Sequence, residues 1–134
     1  MSKARASKEI HAVAENKIGT LAEISQWLAD KGINIKAVCA YADSGKAHFL
    51  FVTSDNKKAI EILKNKNMDV NEEEAVSVEM NDKIGSLKDM AKKLKGADVD
   101  IKHIYGSTSG TANAATTVVF KSDDNDKAIL AING

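Results

Sequence analysis

Proline is absent from this chain of 134 residues, and cysteine, tryptophan and arginine each occur once. A single thiol, Cys39, can form neither a disulfide framework within the chain nor a cysteine-based zinc site, which agrees with a reducing compartment. Eight glycines without proline exclude a collagen-like chain. Aromatic residues make up only 4%, yet 43% of residues are apolar and 28% charged, the balance of an ordinary soluble domain, so a disordered class is excluded too. No apolar run approaches the roughly 20 residues that span a bilayer. Residues 1–8 have no apolar core of the signal-peptide kind. The expectation is a cytoplasmic protein without membrane contact. Its 19 basic and 19 acidic side chains cancel, so the clustered cations on which bulk nucleic-acid binding relies are missing. The one arginine, Arg5, lies in a terminal segment expected to be mobile. An anion held by the core must therefore be bound by backbone N–H groups, hydroxyls or lysines rather than by a bidentate guanidinium.

What is present is a repeat. Lys17-Ile18-Gly19-Thr20-Leu21 recurs 66 residues later as Lys83-Ile84-Gly85-Ser86-Leu87, and at the same offset Leu28, Ile33, Ile35, Lys36 and Val38 correspond to Leu94, Val99, Ile101, Lys102 and Ile104. After a three-residue insertion, Phe51, Asp55, Asn56, Lys58, Ala59 and Ile60 reappear as Phe120, Asp124, Asn125, Lys127, Ala128 and Ile129. The chain is thus read as two copies, residues 9–73 and 74–134, each too small to bury much surface alone and expected to pack side by side. Charge divides along the same line. Residues 1–66 carry 11 bases and 7 acids, and residues 67–134 carry 8 bases and 12 acids.

Each copy shows one pattern. Ile10, Ala12 and Ala14 alternate with other residues, as do Val76, Val78 and Met80, which predicts a half-buried strand. A glycine turn follows, with Thr20 or Ser86 as expected N-cap. The spacing of Leu21, Ile24 and Leu28, or Leu87, Met90 and Leu94, then predicts one buried helix face. Strands are expected at 33–41 and 99–105. In the third strand Phe49 and Phe51, or Val118 and Phe120, should face the core. A short helix closes each copy, and 68–72 supplies a fourth strand to the first. The fold class is α+β, two ferredoxin-like βαββαβ repeats, the second lacking its last strand because the sequence stops at Gly134. That leaves the edge of residues 75–80 unpaired, which predicts a homodimer or higher oligomer, with the opposite charges of the halves favouring contact between unlike copies.

Gly19 and Gly85 sit between a strand and a helix N-terminus, where unpaired first-turn N–H groups and the helix dipole favour a carboxylate. Asn16-Lys17-Ile18-Gly19-Thr20-Leu21, followed by Gly32-Ile33-Asn34-Ile35, resembles the amino-acid-binding ACT domain, and Asp98-Val99-Asp100-Ile101 matches that ending more loosely. The resemblance implies a regulatory, non-enzymatic module that pairs ACT units and binds a small amino acid between the loop of one unit and the second strand of its neighbour. The implied loop residues are Asn16, Ile18, Gly19, Thr20 and Leu21, with Asp82, Ile84, Gly85, Ser86 and Leu87 in the second copy. The implied strand residues are Asn34, Ile35, Asp100 and Ile101. Ile18 and Ile84 stand where the family usually has proline, so the loop lacks a fixed φ. The alternative is an ACT-type interaction and oligomerisation module without ligand.

A zwitterion needs donors for its carboxylate and an acceptor for its ammonium. Asp82 beside the Gly85 loop would repel a carboxylate, so the Asn16 loop is expected to be the competent site, with Asp100 of the other copy holding the ammonium. Other functions fit less well. By strand parity His11 and His48 point away from the helices, but no further metal ligand is evident, so neither metal nor cofactor is expected. RNA stacking would need aromatics on that open face, which instead presents His48 and Leu50. No nucleophile and base pair is visible for catalysis. Residues 106–114 read as a hairpin loop, Cys39 as a packed thiol, and Trp27, whose counterpart is Lys93, as partly buried.

Overall fold

The first strand begins well upstream of its alternating apolar positions. In the computed structural model, which describes residues 2–107, 111 and 114–134, β1 runs over Lys3–Glu15, followed by α1 (Thr20–Asp30), β2 (Ile35–Asp43), β3 (Lys46–Thr53) and α2 (Asn56–Asn65). Then come β4 (Asp69–Asn81), α3 (Ser86–Gly96), β5 (Ile101–Gly106), β6 (Ala115–Ser122) and α4 (Asn125–Asn133). The chain divides into two compact units, residues 8–73 and residues 1–7 with 74–134. In the first unit the strands lie in the order β2-β3-β1-β4, and β3 is antiparallel to both β1 (Ile10 opposite Phe51) and β2 (Ala40 opposite Phe49). In the second unit the order is β1-β4-β6-β5, with Val76 and Ile104 both opposite Phe120. Two α+β units of the ferredoxin-like kind result, as the repeat predicts. The separate strands expected at 68–72 and 75–80 are one continuous strand, β4, and both β1 and β4 contribute to both units.

The place beside β4 where the second copy would put a last strand is taken by residues 3–7 of β1. Ala4 is buried in the second core with Val76, Phe120 and Ile132. Its N–H donates to Asn133 Oδ1 at 2.8 Å, and Asn133 Nδ2 donates to its carbonyl at 2.8 Å. The terminal segment expected to be mobile is therefore a ladder strand. The edge expected to stand open is paired within one chain, which removes that edge as the reason for a homodimer.

Both cores repeat the same geometry. Ile10, Ile24, Leu28, Phe51 and Leu63 are fully buried in the first unit, and Val76, Met90, Leu94, Phe120 and Ile132 in the second. The buried helix face matches the expected stripe except at its first position: Ile24 and Leu28 are inside, as are Met90 and Leu94, but they are joined by Thr20 and Ser86, while Leu21 and Leu87 are exposed. Burial of these hydroxyls is possible because Thr20 Oγ1 donates to the Lys17 carbonyl (3.1 Å) and Ser86 Oγ to the Asn81 carbonyl (2.8 Å). For the same reason neither residue caps its helix. The N-caps are Gly19 and Gly85, at φ 95° and 91°, a left-handed conformation that only glycine adopts without strain.

The second helices are capped by side chains. Asp55 accepts from Lys58 N–H at 3.1 Å, and Asp124 accepts from Lys127 N–H at 3.0 Å. Asn56 Oδ1 accepts from the N–H and hydroxyl of Thr53, as Asn125 Oδ1 does from Ser122. Lys58 and Lys127 donate to the carbonyls of Lys31 and Asp98 near the ends of α1 and α3. The repeated Asp-Asn-x-Lys-Ala-Ile run is thus scaffold. Where the copies differ, so do the contacts: Trp27 packs partly buried with Lys66 Nζ 5.0 Å above its ring, whereas Lys93 donates to the Ile132 carbonyl at 3.0 Å.

Candidate functional site

The strand–helix loop is tied down in the same way in the two units, apart from the hydroxyl bond, which goes to Lys17 in one and Asn81 in the other. Asn16 N–H donates to the Gly45 carbonyl at 3.0 Å and Asp82 N–H to the Ala114 carbonyl at 2.8 Å, so each loop is tied to the hairpin between the second and third strands of its unit. The first helical turn closes when Glu23 N–H bonds the Gly19 carbonyl and Asp89 N–H the Gly85 carbonyl. Earlier amides of α1 and α3 have no intrahelical carbonyl to bond and carry the positive end of the dipole.

Each loop borders a cavity on the helix side of its own sheet. In the first unit the cavity is about 240 Å³, bounded by Asn16, Gly19, Thr20 and Leu21 on the loop side and by Ala40 and Phe49 on the sheet side. In the second it is about 380 Å³, bounded by Asp82, Lys83, Ser86 and Leu87 and, across from them, by Gly106 and Val118. The walls differ in one cross-strand pair. Ala40 and Phe49 face each other in the first unit, and the equivalent pair in the second is Gly106 and Val118, so a phenyl ring and a methyl group are missing from the wall. A Cβ on Gly106 would lie 2.8 Å from Val118 Cγ2, so the close approach of the two strands depends on glycine there.

Ile18 and Ile84 line neither cavity. They stand at the loop tips with exposures of 104% and 105%, and Leu21 with Leu87 and Val38 with Ile104 are also exposed at equivalent positions. Nothing within either fold requires an apolar side chain at those tips. Asn34 and Ile35 lie far from the loop of their own unit. Ile35 pairs with Thr53, whereas the loop follows Glu15, whose partner is Lys46 at the opposite end of β3. Asn34 N–H is bonded to Ser54 Oγ (2.9 Å), and Ile35 and Ile101 pack against their own cores.

Asp100, expected to accept an ammonium, holds Lys102 Nζ at 2.6 Å. That hydrogen bond, and secondly the charge of Asp100, raise the Lys102 pKa above the usual lysine value. On the face away from the helices, His11 Nε2 and His48 Nδ1 are 3.0 Å apart, with Tyr41 stacked on His48 and Glu73 Oε2 3.7 Å from His11 Nδ1. Among the described residues no group of three or more His, Cys, Asp or Glu side chains is arranged to hold a metal ion. Leu50 is buried, so the open face offers it to no base. No helix among the described residues is long and apolar enough to cross a membrane. The hairpin loop read at residues 106–114 lies largely outside the described residues, although Gly106 itself ends β5.

The cavity walls Phe49, Gly106 and Val118 were not legible as site residues from periodicity, which assigns the third strand wholly to the core. The signal was present in the repeat, as the unlike pairs Phe49 with Val118 and Ala40 with Gly106.

Comparison with known proteins agrees with this architecture. The sequence pattern of the ACT domain pair matches residues 6–133. Protein BT0572 from Bacteroides thetaiotaomicron is 27% identical, superposes with a TM-score of 0.87, and is matched over 97% of this chain and 88% of its own. The regulatory subunit of aspartate kinase from Thermus thermophilus, in its ligand-free form, superposes at 0.68 with 14% identity over 97% of this chain and 94% of its own. Aspartate kinase from Clostridium acetobutylicum superposes at 0.61 with 18% identity over 98% of this chain but 33% of its own. No curated protein matches the sequence.

Proposed function

The chain belongs to the ACT domain pair family, and from that premise we propose that it is a cytoplasmic, non-catalytic regulatory module that binds a free amino acid at its strand–helix loops and signals its occupancy to a partner protein. One observation carries the reading: the same loop, with a lysine, a left-handed glycine and a helix N-terminus, borders a cavity in both copies. With Arg5 distant in sequence from both loops, Lys17 or Lys83 and the first-turn amides are the donors for a carboxylate. A thermal-shift screen of the twenty amino acids at about 10 mM tests this. A ligand present at 100 times its Kd adds about 2.7 kcal/mol to stability. The reading expects at least one amino acid to raise the melting temperature, and is contradicted if none does.

A second reading, assembly through the same surface, has its own observation. Ile18, Leu21 and Val38 and their counterparts Ile84, Leu87 and Ile104 are large apolar side chains exposed at three equivalent places in each copy. Apolar side chains exposed together would suit a surface that meets another protein. We infer that it supports homo-oligomerisation, in place of the strand edge that β1 covers. Light scattering at about 100 μM should give a mass above that of one chain, and a strict monomer would count against it.

A further inference from the structure

The equivalent helices of the two copies carry opposite charge. α1 has Glu23 and Asp30 and no basic residue, whereas α3 has Lys88, Lys92, Lys93 and Lys95 against Asp89 alone. With Lys83 just before α3, five of the eight bases in residues 67–134 fall within 83–95, although that half of the chain carries 12 acids. Part of this cluster encloses a space. A cavity of about 390 Å³ within the second unit is lined by Lys83, Lys92 and Lys93, by Ser2 from the segment before β1, and by Ser86, Asp89 and Met90. It shares only Lys83 and Ser86 with the loop cavity described above. The first copy has Gln26 and Trp27 where the second has Lys92 and Lys93, so the scaffold common to the copies does not require these lysines.

We propose that this cavity is an anion site and that its ligand is phosphate, free or carried by a small molecule. Three ammonium groups line it against one carboxylate, an excess of two positive charges, and a phosphate monoester carries close to two negative charges at pH 7. Among the described residues Lys83 and Lys92 have no ion-pair partner. Lys93 spends one of its three N–H donors on the Ile132 carbonyl and keeps two. Ser2 adds a hydroxyl. Asp89 opposes the anion, but Lys88 Nζ lies 3.9 Å from it. The Ser86 hydroxyl already donates to the Asn81 carbonyl, and Met90 is buried, so neither decides the ligand. Lysines bind phosphate as point charges and need no guanidinium fork. The volume falls in the range of about 300–1,000 Å³ usual for small-molecule sites, while the acids in the rest of this half repel an extended polyanion such as nucleic acid.

The test is calorimetric titration of the full chain at low salt with inorganic phosphate, glycerol 3-phosphate and acetate, repeated on the double variant Lys92→Gln with Lys93→Gln and on Lys95→Gln, which alters a lysine of the same helix outside the cavity. At least one phosphate compound should bind, and at least tenfold more tightly than acetate. Tighter binding of glycerol 3-phosphate would assign the site to an ester, and tighter binding of inorganic phosphate to the free ion. The double variant should weaken binding at least tenfold, while Lys95→Gln leaves it within twofold. All three lysines are exposed, and circular dichroism checks the fold; if the double variant fails it, Lys92→Gln alone replaces it, with at least a threefold loss expected. No heat from either phosphate compound at about 10 mM, acetate bound as tightly as phosphate, or a loss in Lys95→Gln as large as in the cavity variant overturns the inference.

Discussion

The two copies share a scaffold and differ in what that scaffold surrounds. Side-chain caps and left-handed glycines recur at equivalent places, from Asp55 and Asp124 to Gly19 and Gly85. The cross-strand pair at the loop cavity does not, being Ala40 and Phe49 in one and Gly106 and Val118 in the other. Nor does the origin of the outer strand: the first copy uses residues 69–73, which follow its own second helix, and the second uses residues 3–7 from the far end of the chain. The comparison teaches that a duplicated unit keeps the residues its backbone needs and is free to vary those facing a void or supplied by a neighbouring segment.

The largest expected effect tests the shared part. Phe51 and Phe120 are both fully buried at equivalent core positions, so Phe51→Ala and Phe120→Ala should each cost about 3–5 kcal/mol. Chemical denaturation checks this, and a difference above about 2 kcal/mol would break the equivalence of the cores. The next tests the unshared strand. Deleting residues 2–7 removes Ala4 and both bonds to Asn133, at a cost of roughly 2–4 kcal/mol. Amide exchange should accelerate in residues 74–81 while residues 46–53 remain protected, and uniform acceleration would show that the first unit cannot stand without the second.

A smaller effect concerns the loops. Gly19→Ala and Gly85→Ala place a Cβ on a left-handed residue, costing about 1–2 kcal/mol each. No atom lies within 4 Å of the added carbon at Gly19, and only the Lys88 side chain is near at Gly85, so the two costs should agree closely in thermal melts. The smallest change in stability is expected for Ile18→Ser with Ile84→Ser. These side chains are fully exposed, and the double variant should stay within about 0.5 kcal/mol of the parent while lowering the mass seen by light scattering.

Much of the fold was legible in the sequence because the repeat doubles every weak signal. The alternation at Ile10, Ala12 and Ala14 gains force when Val76, Val78 and Met80 reproduce it, and Phe51 and Phe120 anchor the third strands. Only the first residue of each helix stripe was misread, because Thr20 and Ser86 look too polar for a core until their bonds to Lys17 and Asn81 are seen. The role of residues 3–7 was hidden for a different reason. Lys3, Arg5 and Ser7 give no apolar alternation, and the partner that orders Ala4, Asn133, is 129 residues away.

The loops themselves were legible as motifs, whereas the packing beside them was not: Phe49 borders the cavity of the first copy and Val118 that of the second. Asp100, expected to accept an ammonium, bonds Lys102 in its own unit, a contact that periodicity does not show.

The central claim is that a free amino acid binds at the strand–helix loops, and an amide chemical-shift map of the full chain titrated with the amino acids of the thermal screen tests it most directly. The account predicts saturable shifts centred on residues 16–21, residues 82–88 or both. No saturable shift in either loop at about 10 mM would contradict it.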